Sequence, residues 1–320
     1  MRILVRRDDI VVAAVMAGKS AGERVDSLYP DLAGRTDLTF EEVDLSRLEG
    51  TDLVFLALPS GESMALAPRL MAGQAKVIDL SGDFRLPDAG LYKQFYGRDH
   101  TAGVLLEMAV YGLPELNRDA IRRARLVANP GCYPTAAILA LLPALRNGLI
   151  DPASVVINSL SGVSGAGRSA SVDLSFSEVN ENVRAYKVGN HQHIPEIQLV
   201  LEHVAGGPVR LTFIPHLVPI TRGIYTTVCA DLVRGLATEE VLALYDDSYA
   251  GAPFVRVKRR VPEIRAVVNT NYCDIGLTVE ARTNRLIIQS VIDNMVKGAA
   301  GQAVQNMNLM FGVAEEVSLI

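Results

Sequence analysis

The chain of 320 residues holds three cysteines, Cys132, Cys229 and Cys273, and no C-x-x-C pair. So few thiols fit a reducing, cytosolic setting better than a disulfide framework. The missing pair argues against a zinc or dithiol redox site, so no metal is expected. Long apolar runs are also lacking. The most apolar stretch, AAILALLPALRNGLI, is broken by Pro143 and Arg146 well short of a membrane span. MRILVRRDD at the front has no signal-peptide core. No block of like charge occurs: the net charge is −5 and the basic residues are scattered, which argues against a nucleic-acid partner. Internal repeats and low-complexity linkers are missing as well.

What remains is a chain with 49% hydrophobic and 21% charged residues, enough to bury a large core. Its length suggests two domains. In the first part, IVVAAVM (Ile10 to Met16), LVFLAL (Leu53 to Leu58), KVIDL (Lys76 to Leu80) and LVA (Leu126 to Ala128) read as short buried parallel strands. ESMALAPRLMAG between the second and third reads as a helix ending at Gly73. This alternation predicts a doubly wound α/β domain, whose ligands sit beyond the carboxyl ends of the strands. After about Cys132 the apolar runs lengthen and alternate: SVVINSL, VRLTFIP, IYTTVCADL, CDIGLTVE and RLIIQSVI. They predict a mostly antiparallel sheet with helices on one face. DNMVKGAAGQAVQNMNLMFG closes the chain as a small-residue helix expected to return to the first domain.

ANPGCYPTAAILALLPAL (Ala128 to Leu145) is the most informative segment: a strand end, a tight turn, and a helix opening just after Cys132. Pro134 suits a first helical turn, and Gly148 a stop. A thiol at a helix N-terminus meets unpaired N–H groups and the positive end of the dipole, which favour its thiolate. Cys132 is therefore the candidate nucleophile. Cys229 lies in an alternating strand pattern and reads as core; Cys273 is ambiguous.

Three further groups stand out. Gly18-Lys19-Ser20 follows the first apolar run, where an NAD-preferring domain usually places a carboxylate; a cation and a hydroxyl there suit a 2′-phosphate, or form only a solvated turn. His191 and His193 in VGNHQHIPEI fall on one side if the segment is extended, and either imidazole suits proton transfer near neutrality. SGVSGAGRSAS (Ser161 to Ser171) has glycines that permit close backbone approach and Arg168 for an anion, without the G-x-G-x-x-G fingerprint. Arg85 and Arg222 are further candidates for an anionic substrate, or structural ion-pair partners.

FLALP-x-G-x-S, VIDLSGDFRL, YGLPELNR, NPGCYPTAA, SGVSGAGR, SEVNEN, HQHIPEI, PHLVP-x-TRG, NYCDIG and DNMVKGAAGQAVQNMN together resemble the N-acetyl-γ-glutamyl-phosphate reductase family, related to aspartate-semialdehyde dehydrogenase, over nearly the whole chain. The resemblance implies a Rossmann-like NADP-binding domain over residues 1–131 and 294–320. A mostly antiparallel catalytic and oligomerisation domain, glyceraldehyde-phosphate-dehydrogenase-like, would span 132–293. It implies a cytoplasmic homodimer or homotetramer of arginine biosynthesis that uses NADPH/NADP+, an acyl-phosphate substrate and inorganic phosphate. Cys132 would form a thioester, and one of His191 and His193 would act as general acid/base. Asn294 would contact the nicotinamide, with Gly165 and Ala166 beside it; Pro59 and Ser60 belong to the strand-end motif on the cofactor side. Arg85, Arg168 and Arg222 would hold the substrate. A carrier-bound aminoadipyl or glutamyl phosphate is the alternative substrate, and a non-catalytic, oligomerising remnant the alternative protein. The family's opening strand and G-x-x-G-Y-x-G turn have no counterpart here, from which a start assigned too late, at an internal methionine, is expected.

Overall fold

The computed structural model describes residues 1–167 and 171–319. Strands β1 (Val15–Met16) and β2 (Phe40–Glu41) pair in parallel as a sheet of their own. β3 (Leu53–Leu56), β4 (Lys76–Asp79), β5 (Val110–Tyr111) and β6 (Leu126–Ala128) form an all-parallel sheet in the order β3-β4-β6-β5. β7 (Val155–Ser161), β8 (Arg184–Ala185), β9 (Leu211–Leu217), β10 (Ile224–Asp231), β11 (Val255–Lys258), β12 (Cys273–Glu280) and β13 (Arg285–Ile292) form a mixed sheet, ordered β11-β12-β13-β10-β7-β9-β8. Among the described residues only the β11–β12 and β7–β9 pairs are parallel there. The α/β part followed by a mostly antiparallel sheet is thus the architecture expected.

One strand differs. Ile10–Ala14 is irregular, and Val15–Met16 pairs with β2 rather than joining the four-stranded sheet. A short apolar run marks burial but not pairing, and among the described residues no neighbouring strand completes a ladder for Ile10–Ala14. Instead Val15 packs with Val25, Leu32 and Phe40 in a small separate core.

The helix Cys132–Arg146 runs through the centre of the molecule, buried on nearly all sides. Its apolar side chains meet Ile157, Val228 and Ile288 of the large sheet and Tyr245 and Tyr249 of the helix Thr238–Tyr249. Pro143 has no N–H for the Leu139 carbonyl four residues back, and Tyr249 Oη donates to that carbonyl at 2.5 Å instead. Gly148, at φ +59°, follows the helix end. The other face of the large sheet is open: Val156, Leu160, Ile214, Tyr225 and Ile287 remain half-buried. Cys229 belongs to that open face and not to the core, because its strand alternates and the even partners Val228 and Ala230 point at the helices. Cys273 is buried beside Ser290. The closing helix Gly301–Met310 packs with Ile78, Ile121 and Val127, against the four-stranded sheet.

Candidate active site

β6 delivers the chain to Asn129-Pro130-Gly131, and the helix begins at Cys132 itself. Asn129 N donates to Asp79 O at 2.8 Å, which ties this turn to the end of β4. Gly131 N donates to Glu196 Oε1 at 2.8 Å. A Cβ at Gly131 would stand 2.6 Å from His193 Nε2 and 2.8 Å from Arg85 Nη1. The glycine is therefore what lets the imidazole and guanidinium close onto the backbone beside Cys132.

The segment carrying the histidines is not extended. Gln192 is in the right-handed helical region and His193 opens the helix His193–Ala205. The two rings still lie together, centroids 4.8 Å apart, because the turn folds one over the other. His191 is buried among Tyr133, Tyr186 and Phe213, and its Nδ1 accepts from His193 N at 3.1 Å. His193 is the ring at the thiol turn. Arg85 Nη1 stands 3.4 Å from His193 Nε2, and among the described residues the buried His193 Nδ1 has no hydrogen-bond partner.

Arg85 uses each of its nitrogens on protein groups: Nε on Asn129 O, Nη2 on Leu80 O, both at 2.8 Å, and Nη1 on His193 and on Glu196 Oε2 at 3.4 Å. Of the two roles open to Arg85 from sequence, its contacts in the free protein are those of the structural partner. Glu196 is fully buried and also accepts from Tyr111 Oη at 2.9 Å. Sequence reasoning assigned Glu196, Tyr111 and Asn129 no role. The available signal was spacing, since Glu196 sits three residues after His193 on the same helix face.

Burial governs the charges. It pushes the Cys132 thiol up to about 11, outweighing the nearby Arg85 and the Tyr133 N–H, so the thiolate expected from the helix N-terminus alone is not the resting form. Burial, with His193 second, lowers His191 to about 3; burial, then Arg85, holds His193 well below its usual value. The resting pair is a neutral thiol and a neutral imidazole.

A second group of residues lies where β7 and β13 end. Asn294 is buried; its Oδ1 accepts from Gly223 N at 2.7 Å and its Nδ2 donates to Ser164 Oγ at 3.0 Å. Gly165 and Ala166 are exposed in the turn Val163–Ala166, and a Cβ at Gly165 would come 3.4 Å from Asn294 Nδ2. An amide beside a side-chain-free backbone is a cradle that fits a flat carboxamide-bearing ring. Arg222 Nη1 donates to Asn269 Oδ1 at 2.9 Å and Asp293 Oδ2 at 3.3 Å, with its side chain 31% exposed. Pro59 and Ser60 follow β3, where Ser60 Oγ accepts from Gly82 N. Gly18-Lys19-Ser20 is a single 3₁₀ turn after β1, on the separate small sheet, with Lys19 exposed. Arg168 lies outside the described residues. Among the described residues no group of acidic, histidine and cysteine side chains is arranged to hold a metal. No described helix is long and apolar enough to cross a membrane.

Comparison with known proteins gives two family matches, the semialdehyde dehydrogenase NAD-binding domain over residues 1–124 and the semialdehyde dehydrogenase dimerisation domain over residues 132–294. The chain is 51% identical over 322 aligned positions to the N-acetyl-gamma-glutamyl-phosphate reductase of Pelotomaculum thermopropionicum, covering 100% of this chain and 93% of that protein. It is 48% identical to that of Symbiobacterium thermophilum with the same coverage. Among solved structures, aspartate semialdehyde dehydrogenase II from Vibrio cholerae superposes with a TM-score of 0.72 at 18% identity, over 97% of this chain and 93% of that one. Aspartate semialdehyde dehydrogenase with NADP from Candida albicans gives 0.69 at 14%, over 98% and 94%. These two likenesses concern the fold.

Proposed function

Because the chain belongs to the N-acetyl-γ-glutamyl-phosphate reductase family within the semialdehyde dehydrogenases, we propose that it reduces N-acetyl-γ-glutamyl phosphate with NADPH to the semialdehyde, releasing phosphate, in arginine biosynthesis. The observation that carries the assignment of roles is the seating of His193 Nε2 against the Gly131–Cys132 turn.

Cys132 Sγ attacks the acyl carbon while its proton passes to His193 Nε2; the C–O bond to phosphate breaks and a thioester forms. Starting from a neutral thiol and neutral imidazole, proton transfer accompanies attack rather than preceding it. Backbone N–H groups at the start of the helix would stabilise the oxyanion. Asn294, Gly165 and Ala166 would hold the nicotinamide of NADPH, which when bound would supply the hydride for the thioester carbon. Collapse then breaks the C–S bond, and the departing thiolate recovers its proton from His193. His191 is a positioning residue, orienting the first turn of the His193 helix through its Nδ1. Gly18, Lys19, Ser20, Pro59 and Ser60 remain the cofactor-side candidates, and Arg85, Arg168 and Arg222 those for the substrate's anionic groups.

The half-buried apolar face of the large sheet supports a homo-oligomer, two copies covering it reciprocally. The chemistry is tested by mixing the protein with N-acetylglutamate semialdehyde and NADP+ without phosphate and measuring intact mass. An N-acetylglutamyl adduct on Cys132, discharged by added phosphate, is expected. Reduction of NADP+ with no adduct at any time point contradicts the covalent route.

A further inference from the structure

Residues Val296–Ala300 form a π-turn. Gly298 N donates to Asp293 O at 3.0 Å and Ala300 N to Met295 O at 3.1 Å, each reaching five residues back. Such turns are rare and recur at functional sites. This one is specified by its surroundings. Asp293 Oδ1 accepts from Met295 N at 2.7 Å and Val296 N at 3.1 Å, closing its start directly beside Asn294. Asn129 Nδ2, from the nucleophile's turn, donates to Ala299 O at 3.2 Å. Gly298 packs on the nucleophile: a Cβ there would lie 2.8 Å from Cys132 Cβ and 3.1 Å from its Cα.

Lys297, the neighbour of that glycine, is fully buried. Its ammonium donates to Glu115 Oε1 at 2.8 Å and Gln305 Oε1 at 2.9 Å, and the Glu115 side chain is 1% exposed. A buried ion pair is a poor stabiliser, since well-packed apolar residues of similar size often serve as well. What the pair does fix is rotation. Successive residues of a helical turn face different sides, so pinning Lys297 against Glu115 turns Gly298 toward Cys132.

We propose that the Lys297–Glu115 pair is a positioning device for catalysis: it sets the register of the π-turn, and the turn holds the Cys132 backbone and Asn294 at one fixed spacing. The proposal rests on Cys132 being the nucleophile. Neither Lys297 nor Glu115 touches the reacting atoms, so the effect is on the seat of the thiol and not on the chemistry itself.

The test uses the full chain with Lys297→Met/Glu115→Leu, Gly298→Ala and Cys132→Ser. Thermal midpoint, kcat, KM and the pH dependence of Cys132 alkylation are measured for each. The apolar pair is expected to keep a near-native thermal midpoint and KM for the semialdehyde while kcat falls at least about tenfold, because a misplacement of roughly 1 Å costs up to about a hundredfold. Its alkylation profile shifts along the pH axis. Gly298→Ala, whose Cβ would press on Cys132 Cβ and Cα, forces the turn and the nucleophile apart and is expected to lower kcat in the same way, with a lower thermal midpoint as well. Native kcat and a native alkylation profile in the folded apolar-pair variant overturn the proposal. Should that variant not fold, native values in Gly298→Ala overturn it instead. Activity surviving in Cys132→Ser would overturn the nucleophile assignment, a separate failure.

Discussion

Cys132 and His193 rest uncharged, and that sets how the protein responds to pH. With the thiol pushed up to about 11, alkylation of Cys132 in the free protein is expected to rise with pH toward a midpoint near 11. Iodoacetamide labelling followed by mass spectrometry checks this, and a midpoint below neutrality would mean a resting thiolate. Stability responds in the opposite part of the range. His191 sits at about 3 in the folded protein against its usual 6.5, so the unfolded chain takes up a proton first as pH falls. This contribution is fully present above pH 6.5 and is lost progressively from there down to about 3. Urea unfolding across that window is expected to show the loss, and His191→Phe to make the dependence shallower. Glu196 acts through contacts. Glu196→Ala strands the Arg85 guanidinium and the Gly131 N–H in the interior, an expected loss of about 3–5 kcal/mol in urea unfolding. Glu196→Gln, which keeps an acceptor for Gly131 N, is expected to lose less.

At the level of elements, what sequence made legible was what local rules decide. The strand–turn–helix around Cys132 follows from short-range signals, and Pro134 and Gly148 stand where those signals require. The helix ending at Gly73 does too. The pairing of Ile10–Met16 was not legible, because an apolar run does not name its neighbour. Nor was the π-turn: VKGAAGQ has the small-residue look of any closely packed helix, and its register is imposed by Glu115, Cys132 and Asn129 from distant parts of the chain. The upward shift of the thiol was illegible for a related reason. The helix N-terminus is visible in sequence, whereas the burial that overrides it is a tertiary property. Asn294 belongs to this scale, bracing β10 through Gly223 N and the glycine turn through Ser164. Asn294→Ala is expected to raise KM for NADP+ more than KM for the semialdehyde, measured by varying each substrate in turn. Equal effects would assign it to scaffolding alone.

For the whole molecule, the large sheet faces two ways, with the nucleophile's helix on one side and a half-buried apolar face on the other. If that face joins two copies, Ile287→Glu on it places an unpaired charge in the interface and is expected to shift sedimentation toward the monomer; an unchanged mass in solution would locate the interface elsewhere. Phosphate-dependent reduction of NADP+ by N-acetylglutamate semialdehyde, followed at 340 nm on the native chain and on Cys132→Ser in parallel, tests this account most directly. The account predicts turnover that requires phosphate and disappears with the substitution. Turnover that survives the substitution, or that runs equally well without phosphate, would contradict it.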